Sequence, residues 1–216
     1  MRGAGPNFAS IVIALVGDES PKAVRFVKRL PLLSIVALSL LLGASSANAH
    51  PHMLAEAELT VDLSARGTTL KSLKHVWHFD DVSSSMFLMD LDLNGDLKLD
   101  AHELKEGGKV MLESMAEYNY FQLVTSDGKD VAMNPPAEIF PTWKKNRLTI
   151  TFETTPKQPT RIGGKTDIGV YDPTFYVAID FLEDKQIKVV GLSPGCESHV
   201  VRPDPDQAIA QNQSTL

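Results

Sequence analysis

Two groups of residues in this chain have the types and spacing of cation ligands. In the first, Asp92, Asn94, Asp96, Asp100 and Glu103 stand at positions 1, 3, 5, 9 and 12 of a continuous stretch, with the Lys98 carbonyl at position 7. That is the ligand spacing of an EF-hand loop, where Ca²⁺ gathers oxygens on a sharply curved backbone, position 9 often through water and the last Glu bidentate. Leu99 falls where such a loop packs its apolar residue. Leu97 departs from the pattern, because that position needs φ > 0 and normally holds Gly. A side chain there costs about 1–2 kcal/mol, which weakens binding about 5- to 30-fold. A frame beginning at Asp90 puts Gly95 at the turn but leaves Ala101 in place of the bidentate carboxylate. The loop therefore reads as a weak Ca²⁺ site of about 10⁻⁴–10⁻³ M, as in extracellular modules, serving as a structural clip. The plain alternative is an acidic turn that holds no ion.

The second group depends on where the mature chain begins. Lys22, Arg25, Lys28 and Arg29 form a basic cluster, Leu30 to Leu42 is largely apolar, and Ala47-Asn48-Ala49 is a small-x-small cleavage signal. This is the order of a secretory signal peptide. The apolar run is about thirteen residues, short of the roughly 20 that a spanning helix needs, and no lipobox Cys precedes the cut. Residues 1–49 are thus expected to be removed, leaving a periplasmic protein with no stable membrane anchor. Met1 to Pro21 is long for a leader's basic end, which points to a start site placed too early.

Cleavage after Ala49 gives His50 a free α-amine, followed by Pro51 and His52. Pro51 has no amide hydrogen, so the square-planar amino-terminal copper mode that uses the second residue's amide is excluded. A three-residue loop Ala65-Arg66-Gly67 would place Ser64 opposite Thr68, His52 opposite Asp80 and Leu54 opposite His78. His50, His52, His78 and Asp80 would then converge at the open end of a hairpin. Imidazoles with a carboxylate suit Zn²⁺, Ni²⁺, Co²⁺ or Cu²⁺. Alternatively His50 and His52 are exposed strand-end residues and Asp80 caps the next helix.

The elements that must position these residues are legible from periodicity. Met53–Leu63 alternates, with Met53, Ala55, Ala57, Leu59, Val61 and Leu63 on one face and Glu56, Glu58, Thr60 and Asp62 on the other. That is a half-buried strand. Thr69 to Asp80 repeats the pattern, and His75 shares the face of Trp77 and Phe79 as a core histidine. Helices are expected from Val82 to about Leu91, capped by Asp81 or Ser83, and from about Ala101 to Tyr118, with Leu104, Val110, Met111 and Met115 as the apolar stripe. Gly107-Gly108 is expected to bend the second helix. Short strands come next at Phe121 to Thr125, Ile139 to Trp143, Leu148 to Glu153, Ile168 to Tyr171, Phe175 to Phe181 and Ile187 to Leu192. The expected fold is α+β: a mainly antiparallel, sandwich-like β domain over 50–202, with an EF-hand-like helix–loop–helix inserted at about 81–118. A polar tail, 203–216, reads as disordered.

Tyr171-Asp172-Pro173-Thr174-Phe175-Tyr176 joins two strands. Tyr171, Asp172 and Tyr176 could line a groove, or Asp172 could bond its own backbone. The single Cys196 excludes an intramolecular disulfide framework and a multi-thiolate zinc site. The chain has 216 residues and a net charge of −6. The leader takes five of 21 basic and two of 27 acidic residues, so the remaining 167 carry 16 basic and 25 acidic groups, net −9. That balance excludes a nucleic-acid grip and favours cationic partners. No nucleophile elbow, phosphate loop or paired-carboxylate motif is present, so the chain does not read as an enzyme.

His50-Pro51-His52, Trp77-His78-Phe79-Asp80, the Asp92 to Glu103 loop, Tyr118-Asn119-Tyr120-Phe121, Tyr171-Asp172-Pro173-Thr174 and Gly195-Cys196 together resemble a family of bacterial exported proteins, domain of unknown function 1007. Members usually carry Gly where this chain has Leu97. The resemblance implies the periplasmic component of a transport system, associated with nickel/cobalt-type exporter permeases and with zinc homeostasis. The expectation is an exported metal-binding accessory protein of a divalent transition-metal system, with an inner-membrane permease as partner. The alternative is a periplasmic adaptor whose loop binds Ca²⁺ weakly or not at all. The remote one is a copper enzyme with an N-terminal His chelate.

Overall fold

The computed structural model describes residues 9–15, 52–64, 67–162 and 164–202. The strands are β1 (Ala9–Leu15), β2 (Met53–Leu63), β3 (Thr69–Phe79), β4 (Gln122–Ser126), β5 (Lys129–Asp130), β6 (Met133–Asn134), β7 (Phe140–Lys144), β8 (Arg147–Pro156), β9 (Thr160–Arg161), β10 (Lys165–Val170), β11 (Val177–Asp180), β12 (Ile187–Val190) and β13 (Cys196–Val201). Two α-helices, α1 (Asp81–Leu91) and α2 (Ala101–Ser114), lie between β3 and β4. This is a β-rich α+β fold with antiparallel pairing dominant.

One sheet runs β13-β1-β10-β4-β5 and the other β11-β2-β3-β8-β6, with β12 on β2, β7 on β8 and β9 on β3. The far edge of β2 is shared in tandem. β11 pairs with Met53–Glu56 and β12 with Leu59–Asp62, both in parallel. A single apolar core takes side chains from both sheets, among them Leu59, Trp77, Phe152, Val124 and Ile168. The expected inward face of β2 is buried from Met53 to Leu63, and Leu73, His75, Trp77 and Phe79 do the same on β3. Trp77 stacks on Phe121 at 5.9 Å and meets Phe152 edge-on at 5.2 Å.

The hairpin differs from the expected register. Glu56, not Leu54, lies opposite His78, and Asp62 lies opposite Ser72. One residue of the slip comes from a connection over 65–68, closed by the Ser64 N–H donating to the Thr69 carbonyl at 2.8 Å. The other comes from a bulge between Asp62 and Leu63, with Lys71 as the extra residue. A two-residue slip keeps every side chain on its face while changing its partner. Gly67 allows this connection: its φ is +63°, and a Cβ there would lie 2.4 Å from the Ser193 nitrogen.

The cap of α1 is Asp80, whose carboxylate accepts from the Ser83 N–H at 2.8 Å, and not Asp81 or Ser83. Two buried serines tie the helix to the sheet. The Ser83 hydroxyl accepts from the Leu54 N–H at 2.9 Å, and that of Ser84 from the Leu148 N–H at 3.0 Å. On α2, Met111 and Met115 are buried as expected, but Val110 is 61% exposed. Gly107-Gly108 lets α2 pack closely on its neighbours. A Cβ on Gly108 would come 2.5 Å from the Ile139 carbonyl, and one on Gly107 2.8 Å from Leu91. α2 is also shorter than expected. Residues 116–121 form a separate 3-10 turn with Asn119, Tyr120 and Phe121 all near φ +50°. Among the described residues no helix is long and apolar enough to cross a membrane.

Candidate functional site

Strand alternation and register build a polar row across the outer face of the larger sheet. Asp180 on β11 lies opposite Glu56 on β2, Glu56 opposite His78 on β3, and His78 opposite Thr149 on β8. Neighbouring strands are about 4.8 Å apart, so these side chains adjoin. Asp180, Glu56 and His78 open into a cleft of about 220 Å³ that is also lined by Asp80, Arg147 and Leu54. His78 is oriented from one side: its Nδ1 lies 2.9 Å from the Thr149 hydroxyl. Its Nε2 lies 3.7 Å from Glu58 Oε1, and Lys188 Nζ reaches the other Glu58 oxygen at 3.9 Å. Glu56 accepts from the Gln186 amide at 2.6 Å. Arg147 donates to the Phe79 carbonyl at 3.0 Å and stands 3.3 Å from the Asp81 carboxylate.

Of the four expected transition-metal ligands, the structure brings His78 and Asp80 to this cleft. Asp80 is also engaged as the helix cap. His52 stands at the entry to β2, its ring 5.1 Å from that of Tyr176 and its N–H bonded to the Tyr176 carbonyl. His50 lies outside the described residues. Among the described residues no three His, Cys, Asp or Glu side chains gather into a metal cage. Glu56, Glu58, Thr149, Arg147 and Asp180 are the site residues that sequence reasoning missed. The alternation of β2 had already put Glu56 and Glu58 on this face, but their neighbours depend on the register and on strands far away in the chain.

The Asp92 to Glu103 stretch is a turn whose backbone donors are held by its own acids. Asp92 accepts from Gly95, Asp96 and Leu97, Asn94 from Asp96, and Asp96 from Lys98. Glu103 is buried, accepting from Leu93, Asn94 and Asp100. It completes a capping box with Asp100 at the start of α2. Leu97 sits at φ 60° with its side chain 73% exposed. The position therefore takes the left-handed conformation that the ligand spacing demands, despite the Cβ.

The remaining candidates separate. Tyr171 lines a second cleft of about 270 Å³ with Tyr118, Asn119 and Pro173. Asp172 is buried and binds its own turn, accepting from the Thr174 N–H and hydroxyl and the Val177 N–H. Tyr176 faces His52 instead, so the three do not form one groove. His75 is a core residue, stacked on Phe152 at 4.6 Å with Nε2 3.2 Å from Gln122 Oε1. Burial lowers its pKa to about 4, only partly opposed by the Gln122 bond. His102 is exposed. His199 lies 3.4 Å from Glu197. Cys196 is a free thiol, partly buried, 3.4 Å from the Ser193 hydroxyl.

A family model described as "Protein of unknown function (DUF1007)" matches residues 35–216, most of the chain. The chain belongs to that family. An "Uncharacterized protein" of Haemophilus influenzae (strain ATCC 51907 / DSM 11121 / KW20 / Rd) is 25% identical over 183 residues, covering 82% of this chain and 86% of the relative. No solved structure matches. The family match spans the cleft, the acidic loop and the Tyr171–Tyr176 turn, which are therefore elements of a family domain and not of an appended segment.

Proposed function

We propose that this chain is an exported metal-binding accessory protein of a divalent transition-metal transport or homeostasis system, handing its ion to or from an inner-membrane permease. The observation that carries the reading is the His78–Glu58 pair. The Thr149 hydroxyl at Nδ1 fixes the ring plane of His78 and turns Nε2 toward Glu58, the orientation of an imidazole ligand beside a carboxylate. Tetrahedral ligands about 2.0–2.2 Å from Zn²⁺ lie about 3.4 Å from each other, so a separation of 3.7 Å needs only a small side-chain movement to close on an ion. Glu56, Asp80 and Asp180 supply negative potential around the pair. A two-ligand platform suits a protein that must release its cargo; His52, four residues before the Glu56 that faces His78, lies about 13 Å further along the strand direction and is not part of it. The leader pattern supports a periplasmic location, and the acidic balance favours cations over nucleic acid.

Titration of the processed protein with Zn²⁺, Ni²⁺, Co²⁺ and Cu²⁺ tests this. The expected result is micromolar affinity for at least one ion, weakened at least about tenfold by His78→Ala and by Glu58→Gln, each lost ligand being worth a few kcal/mol. An added Gly before His50 weakens it further if the amine is a ligand. Affinity unchanged in both variants sinks the reading.

A second reading rests on Leu97. Its φ of 60° favours an EF-hand-like loop in which Ca²⁺ clips α1 to α2, the protein then acting as a structural adaptor. Leu97→Gly removes the left-handed strain and is expected to stabilise the apo protein by about 0.5–1 kcal/mol and to tighten Ca²⁺ about 5- to 30-fold. Calorimetry of both proteins decides it: no Ca²⁺ heat even in Leu97→Gly leaves a turn without an ion.

A further inference from the structure

The smaller sheet is held together by a strand that the proposed export removes. β1 lies between β10 and β13, paired antiparallel with both, Ala9–Ala14 against β10 and Ser10–Leu15 against β13. β13 pairs with no other strand among the described residues. Ala9–Leu15 precedes the basic cluster and the apolar run, so cleavage after Ala49 leaves it on the far side of the membrane from the domain. Without β1, a state that rests on the export reading, the facing edges of β10 and β13 bound a slot one strand wide, lined by unpaired N–H and C=O groups.

The register specifies what fits the slot. Ile11 stands in line with Ile168 and Val200, Ile13 with Thr166 and Ser198, and Leu15 with Cys196. Ile168 and Thr166 are fully buried and Val200 packs against the core, so the row of the slot through these wall residues faces the core and calls for apolar side chains at alternate positions. Asp167 and Lys165 belong to the alternate, outer row of the same wall, in register with Val12 and Ala14. We infer that in the exported protein this slot is a strand-acceptor site, filled by an extended segment of a partner polypeptide with apolar residues at i, i+2 and i+4. Such a segment enters antiparallel to both walls; backbone bonds supply affinity and the alternate side chains supply selection. The chain's own tail does not qualify, because 203–216 has no three apolar residues at alternate positions.

The test uses the exported protein recovered from the periplasm, with its intact mass measured, and a labelled peptide of the Ala9–Leu15 sequence carrying flanking lysines for solubility. The expected result is a mass that begins at His50, saturable one-to-one peptide binding and a raised Tm. Binding falls at least tenfold for a Val12→Pro peptide, which cannot donate to the ladder, and for an Ile11→Asp/Ile13→Asp peptide, while a chain ending at Arg202 binds the parent peptide equally well. A processed protein that binds no peptide, as when β13 closes directly onto β10, overturns the inference and leaves export standing. Equal binding of the proline peptide also overturns it. A mass that retains residues 9–15 overturns the export reading and, with the slot filled in cis, this inference too.

Discussion

Lowering the pH from 6.5 to 4 will remove on the order of 3 kcal/mol of folding stability through His75 alone. The folded protein holds this imidazole neutral down to about pH 4, chiefly because burial disfavours its charged form, with the Gln122 bond acting weakly the other way. The unfolded chain takes the proton near pH 6.5, so below that pH it binds more protons than the folded state. The contribution of His75 is fully present above pH 6.5 and is lost progressively as pH falls toward 4, at about 1.4 kcal/mol per pH unit. Urea denaturation at pH 7, 5.5 and 4.5 measures the slope. His75→Gln keeps a polar group near Gln122 but cannot titrate. It lowers stability at pH 7 and flattens the acid limb; an unchanged slope in that variant would falsify the assignment. The stack on Phe152 and the contact with Trp77 place the incoming charge among aromatic rings in the core, away from bulk solvent.

Asp172→Ala is the other substitution with a large expected effect. Its carboxylate is 1% exposed and holds three donors, the Thr174 N–H at 2.8 Å, the Thr174 hydroxyl at 2.7 Å and the Val177 N–H at 2.9 Å. Removing it strands two backbone donors, at a cost of about 2–4 kcal/mol. Val177 begins β11, the strand that carries Asp180 to the cleft and pairs with Met53. Hydrogen exchange at Val177–Asp180 should therefore quicken while Ile187–Val190 on β12 changes little. Asp172→Asn should recover only part of the loss, since an amide that accepts from Thr174 presents N–H to the N–H of Val177. Uniform acceleration across β11 and β12 would mean that Asp172 supports the whole sheet and not this turn.

Both residues were visible in the sequence as types, and their roles depended on different information. The period-2 pattern of Thr69 to Phe79 put His75 beside Trp77 on the inward face, and that held. Asp172 before Pro173 offered a turn or a groove, and the structure chose the turn because Asp172 is buried with its donors already within reach. The cleft was less legible. His78 and Asp80 were named from their hairpin, but the partners assigned to them came from a loop one residue too short and a strand without its bulge at Lys71. Alternation cannot detect a slip of two residues, because such a slip leaves every face unchanged. Strand Cys196–Val201 was not expected at all: Glu197, Ser198 and His199 give it no apolar signature, and its place in the sheet comes from β1.

Local chemistry was thus set by the sequence itself: the inward faces of β2 and β3, the capping box of Asp100 and Glu103 and the oxygen spacing from Asp92 to Glu103. These depend on contacts within a few residues, where backbone geometry leaves little choice. The tertiary structure decided which strands adjoin, placing β11 and β12 in parallel along β2 more than a hundred residues away and setting His78 between Glu56 and Thr149. Such pairings are selected by the joint closure of one core, which no single segment encodes.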